Sequence, residues 1–321
     1  MKKALEYMND IVKNVQEELV KIDLNNGEGE EKLIKISKGL FEEERRKLIA
    51  LLRKYKDVFT WSYQKMPGLS PNLVTYKLKV DPNVKPVKQP PRNYRLDVEE
   101  KIKSEVNKLL KVGSIEEIEC PSWLANIVPV KKKGGQIRIY VDFRDVNKAC
   151  PKDEFTLPNI DILVDAAASH ECFSFMDSYS GYNLIFMELA DAQKTAFRTP
   201  FGNYFYKAMP FGLKNASATY QRTVTLIFGD MLHKQVEDYV NDLVVKAKNP
   251  FEHLLHLRQV FKRCREHNLR MNSSKWAFGV SSRKFLSFLV CHRGIDLDPT
   301  KAKAIAALNP SMTLKKLRSF V

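Results

Sequence analysis

The sequence VEDYVNDLVV, at residues 236–245, brings two runs of β-branched and aromatic residues together at a polar dipeptide, Asn241-Asp242. Runs of this composition favour β-strands, and Asn and Asp are typical of tight turns. The stretch therefore predicts a β-hairpin with Asn241 and Asp242 at its tip. Asn is among the residues that best tolerate the left-handed conformation of such turns, so we expect the hairpin to form with an amide at position 241.

A second predicted strand, FSFMD at residues 173–177, ends in a carboxylate. Phosphoryl transfer between nucleotides uses two divalent ions about 3.5–4 Å apart, and magnesium prefers oxygen ligands that include one or two carboxylates. Asp177 and Asp242 together are therefore a candidate metal site. Taken singly, an aspartate after a strand is more often a turn former or a helix cap.

The segments around these two strands mix helical and strand periodicity. Apolar spacing predicts helices at about residues 42–55, 98–110, 216–228 and 252–267, and strands at residues 127–130, 137–141 and 284–290. Gly113 is placed to end the second of these helices. Helices and strands in this mixed order favour an α+β fold over a doubly wound sheet.

Prolines mark a boundary in the first third of the chain. The prolines at positions 82, 86, 90 and 91 predict an extended connector, because proline lacks the backbone donor and holds the preceding residue out of the helical region. Before it, residues 5–19 show helical spacing and residues 25–31 form a polar linker. We therefore expect a helical N-terminal region and connector at residues 1–85 and a second domain at residues 86–321.

The charge of the chain points to a polyanionic partner. The net charge is +15, and residues 51–321 carry 43 Lys and Arg against 27 Asp and Glu. Basic side chains that neutralise phosphates release condensed counterions, so an excess of this size favours nucleic-acid binding. The alternative is a solvated basic surface that serves solubility.

Cysteine usage and hydropathy predict an intracellular protein. The five cysteines are widely spaced and include no C-x-x-C pair, which is typical of reduced thiols. No apolar run reaches about 18 residues, and the N-terminus lacks the pattern of a signal peptide. We expect no membrane partner and no secretion.

Three blocks of sequence carry a resemblance to a known family. IRIYVDFRDVNK at residues 137–148, MPFGLKNA at residues 209–216 and YVND at residues 239–242 stand in the order and rough spacing of reverse transcriptases. The sequence is most similar to the polymerase segment of gypsy-type LTR retrotransposon polyproteins, especially those of plants, over about residues 41–321. Several independent blocks in one order make a chance match very rare.

The resemblance implies an architecture and a domain division. The fold would be the right-hand polymerase fold, with fingers and palm and part of a thumb. Residues 1–85 would come from the junction between protease and polymerase, and residues 86–321 would be the reverse transcriptase domain, with the start of the thumb and connection from about residue 270. No ribonuclease H, integrase or protease motif accompanies these blocks, so we expect a polymerase fragment.

The resemblance also implies the catalytic and metal-binding residues. Asp177, the Ser178 carbonyl and Asp242 match the metal ligands, for two Mg²⁺ or Mn²⁺ ions. Asn241 stands at a metal-ligand position where the family has aspartate. Lys275 matches a lysine proposed to protonate the leaving pyrophosphate, although lone lysines are common on basic proteins.

Further positions match the residues that bind the incoming nucleotide and the primer. The nucleotide-binding matches are Lys132, Arg138, Tyr182, Phe211 and Gly212. The matches to the primer grip are Phe285, Leu286, Ser287 and Phe288. Each group has a structural alternative: lysines in a turn are often a solvated loop, a tyrosine after a strand is often a packing residue, and a core hairpin predicts the same apolar run.

The amide at position 241 leads us to expect impaired catalysis. Asn241 removes one negative charge that would balance two dications. If transition-state stabilisation falls by several kcal/mol, the rate falls by about 10³-fold or more, because each 1.4 kcal/mol is about tenfold. Ser287 and Trp276 also depart from the residues usual in the family, Gly and Cys.

Two main functions follow from these residues. The first is an RNA-directed DNA polymerase that binds an RNA or DNA template with primer and takes dNTPs, weak or inactive in this copy. The second is a catalytically dead nucleic-acid-binding remnant. A relative of group II intron maturases or telomerases is disfavoured by the block at residues 209–216. The family implies a cytoplasmic location.

Overall fold

The computed structural model describes residues 17–27, 29–61, 68–131, 137–168, 170–177, 181–240, 242–272, 276–286, 288–291 and 294–297. Its helices are Glu42–Lys54 (α1), Leu96–Lys111 (α2), Arg144–Ala149 (α3), Ile160–Ala167 (α4), Leu189–Ala192 (α5), Ala216–Phe228 (α6) and Pro250–Glu266 (α7). Its strands are Leu19–Asp23 (β1), Leu33–Ser37 (β2), Phe59–Thr60 (β3), Ile115–Glu117 (β4), Ala125–Lys131 (β5), Ile137–Val141 (β6), Cys172–Asp177 (β7), Phe197–Thr199 (β8), Gly202–Tyr206 (β9), Val236–Tyr239 (β10), Asp242–Ala247 (β11), Met271–Asn272 (β12), Ala277–Val280 (β13), Ser282–Phe285 (β14), Phe288–Cys291 (β15) and Gly294–Leu297 (β16). Within the described ranges, no helix is long and apolar enough to cross a lipid bilayer.

A six-stranded sheet, here called the central sheet, has the order β1-β2-β13-β7-β11-β10. Its middle is antiparallel, and β7 and β11 pair from Cys172 opposite Ala247 to Asp177 opposite Asp242. Because side chains alternate along a strand, the side chains of β11 pack into two different cores on the two faces of the sheet. Leu243 lies in the large core that includes residues of α6 and α7, and Val244 lies in a smaller core with α4. The middle strands are therefore buried on both faces.

A five-stranded sheet of order β4-β9-β8-β5-β6 forms the other main layer. Ile102 and Val106 of α2 are buried in the large core that includes residues of this sheet. Helix α2 ends where the sequence predicts, because Gly113 takes a φ of 68°, which suits glycine. The Ser114 N–H then donates to the Leu109 carbonyl at 3.0 Å and closes the last turn.

Elements within residues 17–61 are part of the central sheet and its core. Strand β2 pairs in parallel with β13, with Ile36 opposite Phe278. Helix α1 packs on α7, and the ring of Phe59 makes edge contacts with Phe261 at 5.3 Å and Trp276 at 5.3 Å. These N-terminal elements share their packing with residues more than two hundred positions away.

The structure corrects part of the helical prediction for residues 1–85. Leu19–Asp23 and Leu33–Ser37 are strands, because Ile34 and Ile36 are fully buried when β2 pairs with β13. The turn between them is held by Asp23, whose carboxylate accepts from the N–H groups of Asn25, Gly27 and Lys32. Residues 1–16 lie outside the described residues. The division of the chain near residue 85 stays a prediction.

Most of the other predicted elements are present with shifts of one or two residues. The helices expected near residues 42, 98, 216 and 252 are α1, α2, α6 and α7. The elements missing from the prediction are the helices α3, α4 and α5 and the strands β1, β2, β3, β4, β8, β9, β12, β13 and β16. The mixed order of sheets and helices confirms the α+β class.

We expect Phe59→Ala to lower the free energy of unfolding by about 3–5 kcal/mol, because the change leaves a cavity in the aromatic cluster beneath the central sheet. Urea unfolding followed by circular dichroism measures the loss. Phe41→Ala is the matched control, since Phe41 is 79% exposed and the same change there should stay within about 0.5 kcal/mol. Equal effects at the two positions would show that the N-terminal segment does not share this core.

Candidate active site

The hairpin β10–β11 carries Asp242, one of the two aspartates of the candidate metal site. Tyr239 pairs with Asp242, and Asp242 is the first residue of β11. The prediction that Asp242 lies at the tip of the hairpin is therefore wrong by one residue, whereas Asn241 lies outside the described residues. The same Asp242 also pairs with Asp177 at the end of β7, and paired residues have Cα atoms about 4.5–5.5 Å apart. Two strands thus bring two aspartates together at one end of the central sheet.

The turn is strained at Val240. This residue has a φ of 55°, which is an outlier for a β-branched side chain. Helix α6 holds the conformation through Gln221, whose side-chain oxygen accepts from the Val240 N–H at 2.9 Å. The amide nitrogen of Gln221 donates to the Asp238 carboxylate at 2.7 Å. One buried side chain therefore fixes both the strand and the turn of the hairpin.

Asp238 is an acidic group inside the protein. It is 3% exposed, and its neighbour across the ladder is the buried Leu243 on the helix side of the sheet. Burial raises the pKa of Asp238 well above its usual value, and the negative charges of Asp242 and Glu237 act in the same direction, against the hydrogen bond from Gln221. The carboxyl of Asp238 is thus a packed partner of α6.

Tyr182 lies in a short 3₁₀ turn, Gly181–Leu184, directly after the β7 region. The Tyr182 hydroxyl and the Ser217 hydroxyl are 2.8 Å apart and share a hydrogen bond. The Tyr182 ring is held edge-on by Phe211, at 5.0 Å between centroids, and by Tyr220, at 5.6 Å. Gly181 allows this packing, because a Cβ there would lie 2.5 Å from the Tyr220 ring.

The loop at residues 209–215 is held by hydrogen bonds from the side chain of Asn147. The Asn147 amide donates to the Gly212 carbonyl at 2.8 Å and accepts from the Lys214 N–H at 2.8 Å. Gly212 has a φ of 97°, which explains glycine at this position. Phe211 is 41% exposed beside Tyr182, so the structure brings these two predicted nucleotide-binding residues together.

The remaining predicted positions are spread over two other hairpins. Arg138 is half-buried in β6 and pairs with Val130 of β5. In the β14–β15 hairpin, Phe285 is 2% exposed and packs on Phe175 at 6.1 Å, so its side chain belongs to the smaller core. Leu286 takes a φ of 48° at the turn, and Phe288 is partly buried.

Several predicted site residues lie outside the described residues. These are Lys132, Ser178, Asn241, Lys275 and Ser287. For Asp177 the backbone pairing is described and the side chain is not. Their assigned roles stay predictions.

The donor set at the hairpin fits a magnesium site that is completed by substrate. Among the described residues, no group of three or more His, Cys, Asp or Glu side chains could hold a metal ion. Asp242 is exposed at the sheet end, opposite Asp177 in the ladder. Magnesium is commonly bound by one or two carboxylates plus substrate phosphates, so two aspartates match that requirement.

A large open cavity lies elsewhere, on the outer side of α6. Its volume is about 850 Å³, and its lining includes Lys77, Lys79, Asp153, Arg222 and Leu226. The Arg222–Asp153 ion pair at 2.8 Å is part of this wall. We place the candidate site at the hairpin and not here, because the paired aspartates are at the hairpin.

The family of the chain follows from its sequence. The model of the family described as reverse transcriptase (RNA-dependent DNA polymerase) matches residues 130–290, half of the chain. The chain belongs to the reverse transcriptase family. The matched residues include the Asp177–Asp242 pair, Tyr182 and α6.

Relatives of this reverse transcriptase chain are retrotransposon polyproteins. The Pol polyprotein from transposon 297 of Drosophila melanogaster is 29% identical over 286 residues, which is 88% of this chain and 27% of that protein. The Pol polyprotein from transposon gypsy of the same species is 30% identical over 236 residues, 70% of this chain and 22% of that protein. The Tf2-3 polyprotein of Schizosaccharomyces pombe is 29% identical over 238 residues, which is 72% of this chain and 18% of that protein. The chain thus spans about a quarter or less of the length of these relatives.

Solved structures share the fold of this reverse transcriptase chain. The foamy viral protease–reverse transcriptase in complex with RNA/DNA hybrid has a TM-score of 0.77 at 22% identity, covering 88% of this chain and 37% of that one. The same viral protein in complex with double-stranded DNA has a TM-score of 0.76 at 22% identity, covering 88% of this chain and 58% of that one. The central sheet is accordingly the palm of the right-hand polymerase fold and the five-stranded sheet belongs to the fingers.

Sequence reasoning missed Gln221, Asp238, Ser217 and Asn147. Gln221 contacts Asp238 and the hairpin turn at Val240. Ser217 contacts Tyr182, and Asn147 contacts the loop at Gly212. The one local signal is Asp238, an acidic residue at a strand position that faces the helices. Its partner Gln221 lies 17 residues away in sequence, so pairing the two requires the helix packing.

We expect Asp238→Asn to stabilise the protein at pH 8 and to change little near pH 4. Above the unfolded pKa of about 3.9, the folded state keeps a proton that the unfolded state has lost, so wild-type stability falls as the pH rises toward the raised folded pKa. Asparagine does not titrate and can still accept the Gln221 hydrogen bond. The gain in the free energy of unfolding at pH 8 is about 1.4 kcal/mol for each pKa unit by which folding raises the pKa of Asp238.

Urea unfolding of both proteins at pH 4 and pH 8 measures the difference. Asp81→Asn on the exposed connector is the control, and its effect should be small at both pH values. A gain for Asp238→Asn that is the same at pH 4 and pH 8 would show that folding does not raise the pKa of Asp238.

Proposed function

We propose that the chain is the polymerase module of a gypsy-type LTR retrotransposon polyprotein, of plant origin. Its reaction is RNA-directed DNA synthesis, in which a primer 3′-hydroxyl attacks the α-phosphate of a dNTP and pyrophosphate leaves. The observation that carries this proposal is the ladder that sets Asp242 opposite Asp177 at the end of β7. The retrotransposon relatives support the assignment, and the chain covers only part of each.

The residues that would hold two divalent ions are Asp177, Asp242 and the Ser178 carbonyl. When bound, the ions would activate the primer hydroxyl and hold the triphosphate. Asp242 meets the demand for an accessible ligand, since it is exposed at the first position of β11. Gln221 keeps the adjoining turn in place through Val240.

The nucleotide would be held by residues of three elements. Lys132 and Arg138, on the β5–β6 hairpin, would contact the triphosphate, lysine as a point charge and arginine as a fork. Tyr182 would lie under the sugar and exclude a 2′-hydroxyl, and its packing on Phe211 and Tyr220 makes that ring rigid. Gly212 would let the backbone approach the nucleotide. Lys275 would protonate the leaving pyrophosphate.

The amide at position 241 impairs this reaction in our proposal. Asn241 follows the strained Val240 and precedes the first residue of β11, so it lies beside Asp242 in sequence. An amide oxygen is a neutral ligand, and the hairpin loses one charge that would compensate the bound cations. Polymerisation by this chain is therefore weak or absent.

The proposed partners are an RNA or DNA template with primer and dNTPs. Support comes from the foamy viral protein, whose structures are complexes with RNA/DNA hybrid and with double-stranded DNA. The net charge of +15 supports a polyanionic partner. The domain division near residue 85, the start of the thumb near residue 270 and a cytoplasmic location belong to the same proposal.

We expect Asn241→Asp to raise primer extension by about 10³-fold or more, because it restores the missing charge. The measurement is incorporation of dNTPs on an RNA template with a DNA primer, in magnesium and in manganese. Asp177→Ala in the Asn241→Asp background is the control and should abolish the extension. If Asn241→Asp binds primer–template and still gives no extension, another change causes the inactivity.

A second function is favoured by Asn241 itself: a nucleic-acid-binding remnant without catalysis. Extension by the unmodified chain that is lost in Asp177→Ala would reject it. Absence of extension both before and after the Asn241→Asp change, with binding intact, would support it.

Both functions predict binding to primer–template that weakens steeply with salt. For six to ten phosphate contacts, we expect the affinity to fall by about 10³–10⁵-fold between 50 and 200 mM salt. Fluorescence anisotropy with a labelled primer–template measures the slope. Sucrose at matched osmolality is the control and should leave the affinity unchanged. A flat salt dependence would mean that the basic excess only serves solubility.

A further inference from the structure

Glu17 links the end of β2 to the residues between β13 and β14. One carboxylate oxygen accepts from the Ser281 N–H at 2.6 Å, from the Ser281 hydroxyl at 3.0 Å and from the Ser282 N–H at 3.4 Å. The other oxygen accepts from the Ser37 hydroxyl. A single carboxylate thus receives donors from residues that are more than two hundred positions apart in the chain.

The serines at 281 and 282 form the junction between two sheets. Strand β13 ends at Val280 in the palm sheet, and β14 begins at Ser282 in the separate three-stranded sheet β14-β15-β16. Ser281 is the one residue between them. Hydrogen bonds to this junction fix the direction in which the chain leaves the palm.

Ser37, the partner of the other Glu17 oxygen, is also held firmly in the structure. Ser37 is the last residue of β2, is 1% exposed, and its hydroxyl also accepts from the Gly39 N–H at 3.0 Å. Strand β2 pairs with β13 through Ile36 and Phe278. Glu17 therefore connects the junction to a strand that is itself part of the palm sheet.

We propose that Glu17 is a positioning residue for the β14–β15 hairpin. The carboxylate sets the angle of that hairpin against the palm, and the hairpin in turn holds the primer end over the Asp177–Asp242 pair. This inference rests on the proposed function of the hairpin as primer grip. Glu17 contacts neither nucleic acid nor metal in this scheme.

The β14–β15 hairpin is also anchored in the smaller core. Removal of the Glu17 carboxylate should therefore change the position of the hairpin more than it lowers the stability of the fold. Phe285 is 2% exposed and Val290 is fully buried, and both lie in the smaller core with Leu163 and Val164 of α4. These contacts remain when the carboxylate is removed. The hairpin then keeps its strands and gains freedom at its first residue.

The chain offers a matched control in the next residue. Glu18 is exposed and its carboxylate pairs with Lys38 at 2.6 Å, between side chains that are 74% and 64% exposed. Glu18→Ala removes the same charge from the same segment without touching the junction. Glu17→Gln is the conservative variant, since an amide oxygen can still accept from Ser281 and the amide nitrogen can donate to Ser37.

The test compares the unmodified chain with Glu17→Ala, Glu17→Gln and Glu18→Ala by two measurements. Hydrogen exchange reports on the amides of residues 282–291, and stopped-flow fluorescence measures dissociation of a labelled primer–template. For Glu17→Ala we expect faster exchange in residues 282–286 and about three- to tenfold faster dissociation, the size expected for partial loss of a charge-assisted contact. Glu17→Gln should recover most of both effects, and Glu18→Ala should match the unmodified chain.

Thermal unfolding separates positioning from folding. The unfolding midpoint of Glu17→Ala should stay within a few degrees of that of Glu18→Ala, while the dissociation rates differ. Unchanged exchange at residues 282–286 in Glu17→Ala overturns the positioning role. So does a loss of primer–template binding that Glu18→Ala reproduces.

The two proposals fail in distinguishable ways. If the unmodified chain does not bind primer–template, the proposed function fails, and the exchange measurement still decides whether Glu17 positions the hairpin. If the unmodified chain binds and Glu17→Ala changes exchange without changing dissociation, the hairpin does not hold the primer, and the further inference is wrong while the polymerase assignment stands.

Discussion

The antiparallel ladder between β7 and β11 is the constraint on which the rest of the structure depends. Its register decides which residues share a face, because a slip by one residue would turn every side chain to the other side. With Val244 opposite Phe175, both lie in the smaller core, and Asp242 comes to lie opposite Asp177 at the end of the ladder. The packing of the palm and the placement of the two aspartates therefore have one cause.

Helix α6 is the second support of the site. Ser217 shares a hydrogen bond with the Tyr182 hydroxyl, Tyr220 packs edge-on against the Tyr182 ring, and Gln221 holds the hairpin turn. These three side chains lie within five consecutive residues of one helix, and a helix places residues three and four apart on one side. A rigid element thus fixes Tyr182, the predicted sugar-binding residue, and the β10–β11 hairpin relative to each other. A strained turn at Val240 persists only because its surroundings hold it.

Local sequence pattern predicted the long elements and much of the site. Helices α1, α2, α6 and α7 each have at least 13 residues, so their apolar periodicity is clear. Helix α3 has 6 residues and α4 has 8, too few turns for a periodic signal. The Asp177–Asp242 pair was predictable because both residues border strands. The Gln221–Asp238 contact was not, because it depends on which face of α6 meets the sheet.

The parallel pairing of β2 with β13 has a consequence for synthesis of the chain. Ile36 and Phe278 are separated by about 240 residues, and ribosomes add about 5–20 residues per second. The β1–β2 hairpin is thus complete roughly 12–50 seconds before its partner leaves the ribosome. During that time β2 presents an unpaired edge with two isoleucines that are fully buried in the finished fold. Of the described strands, β1 and β2 are made first and are among the last to be covered, so the palm closes only when almost all of the described chain has been translated.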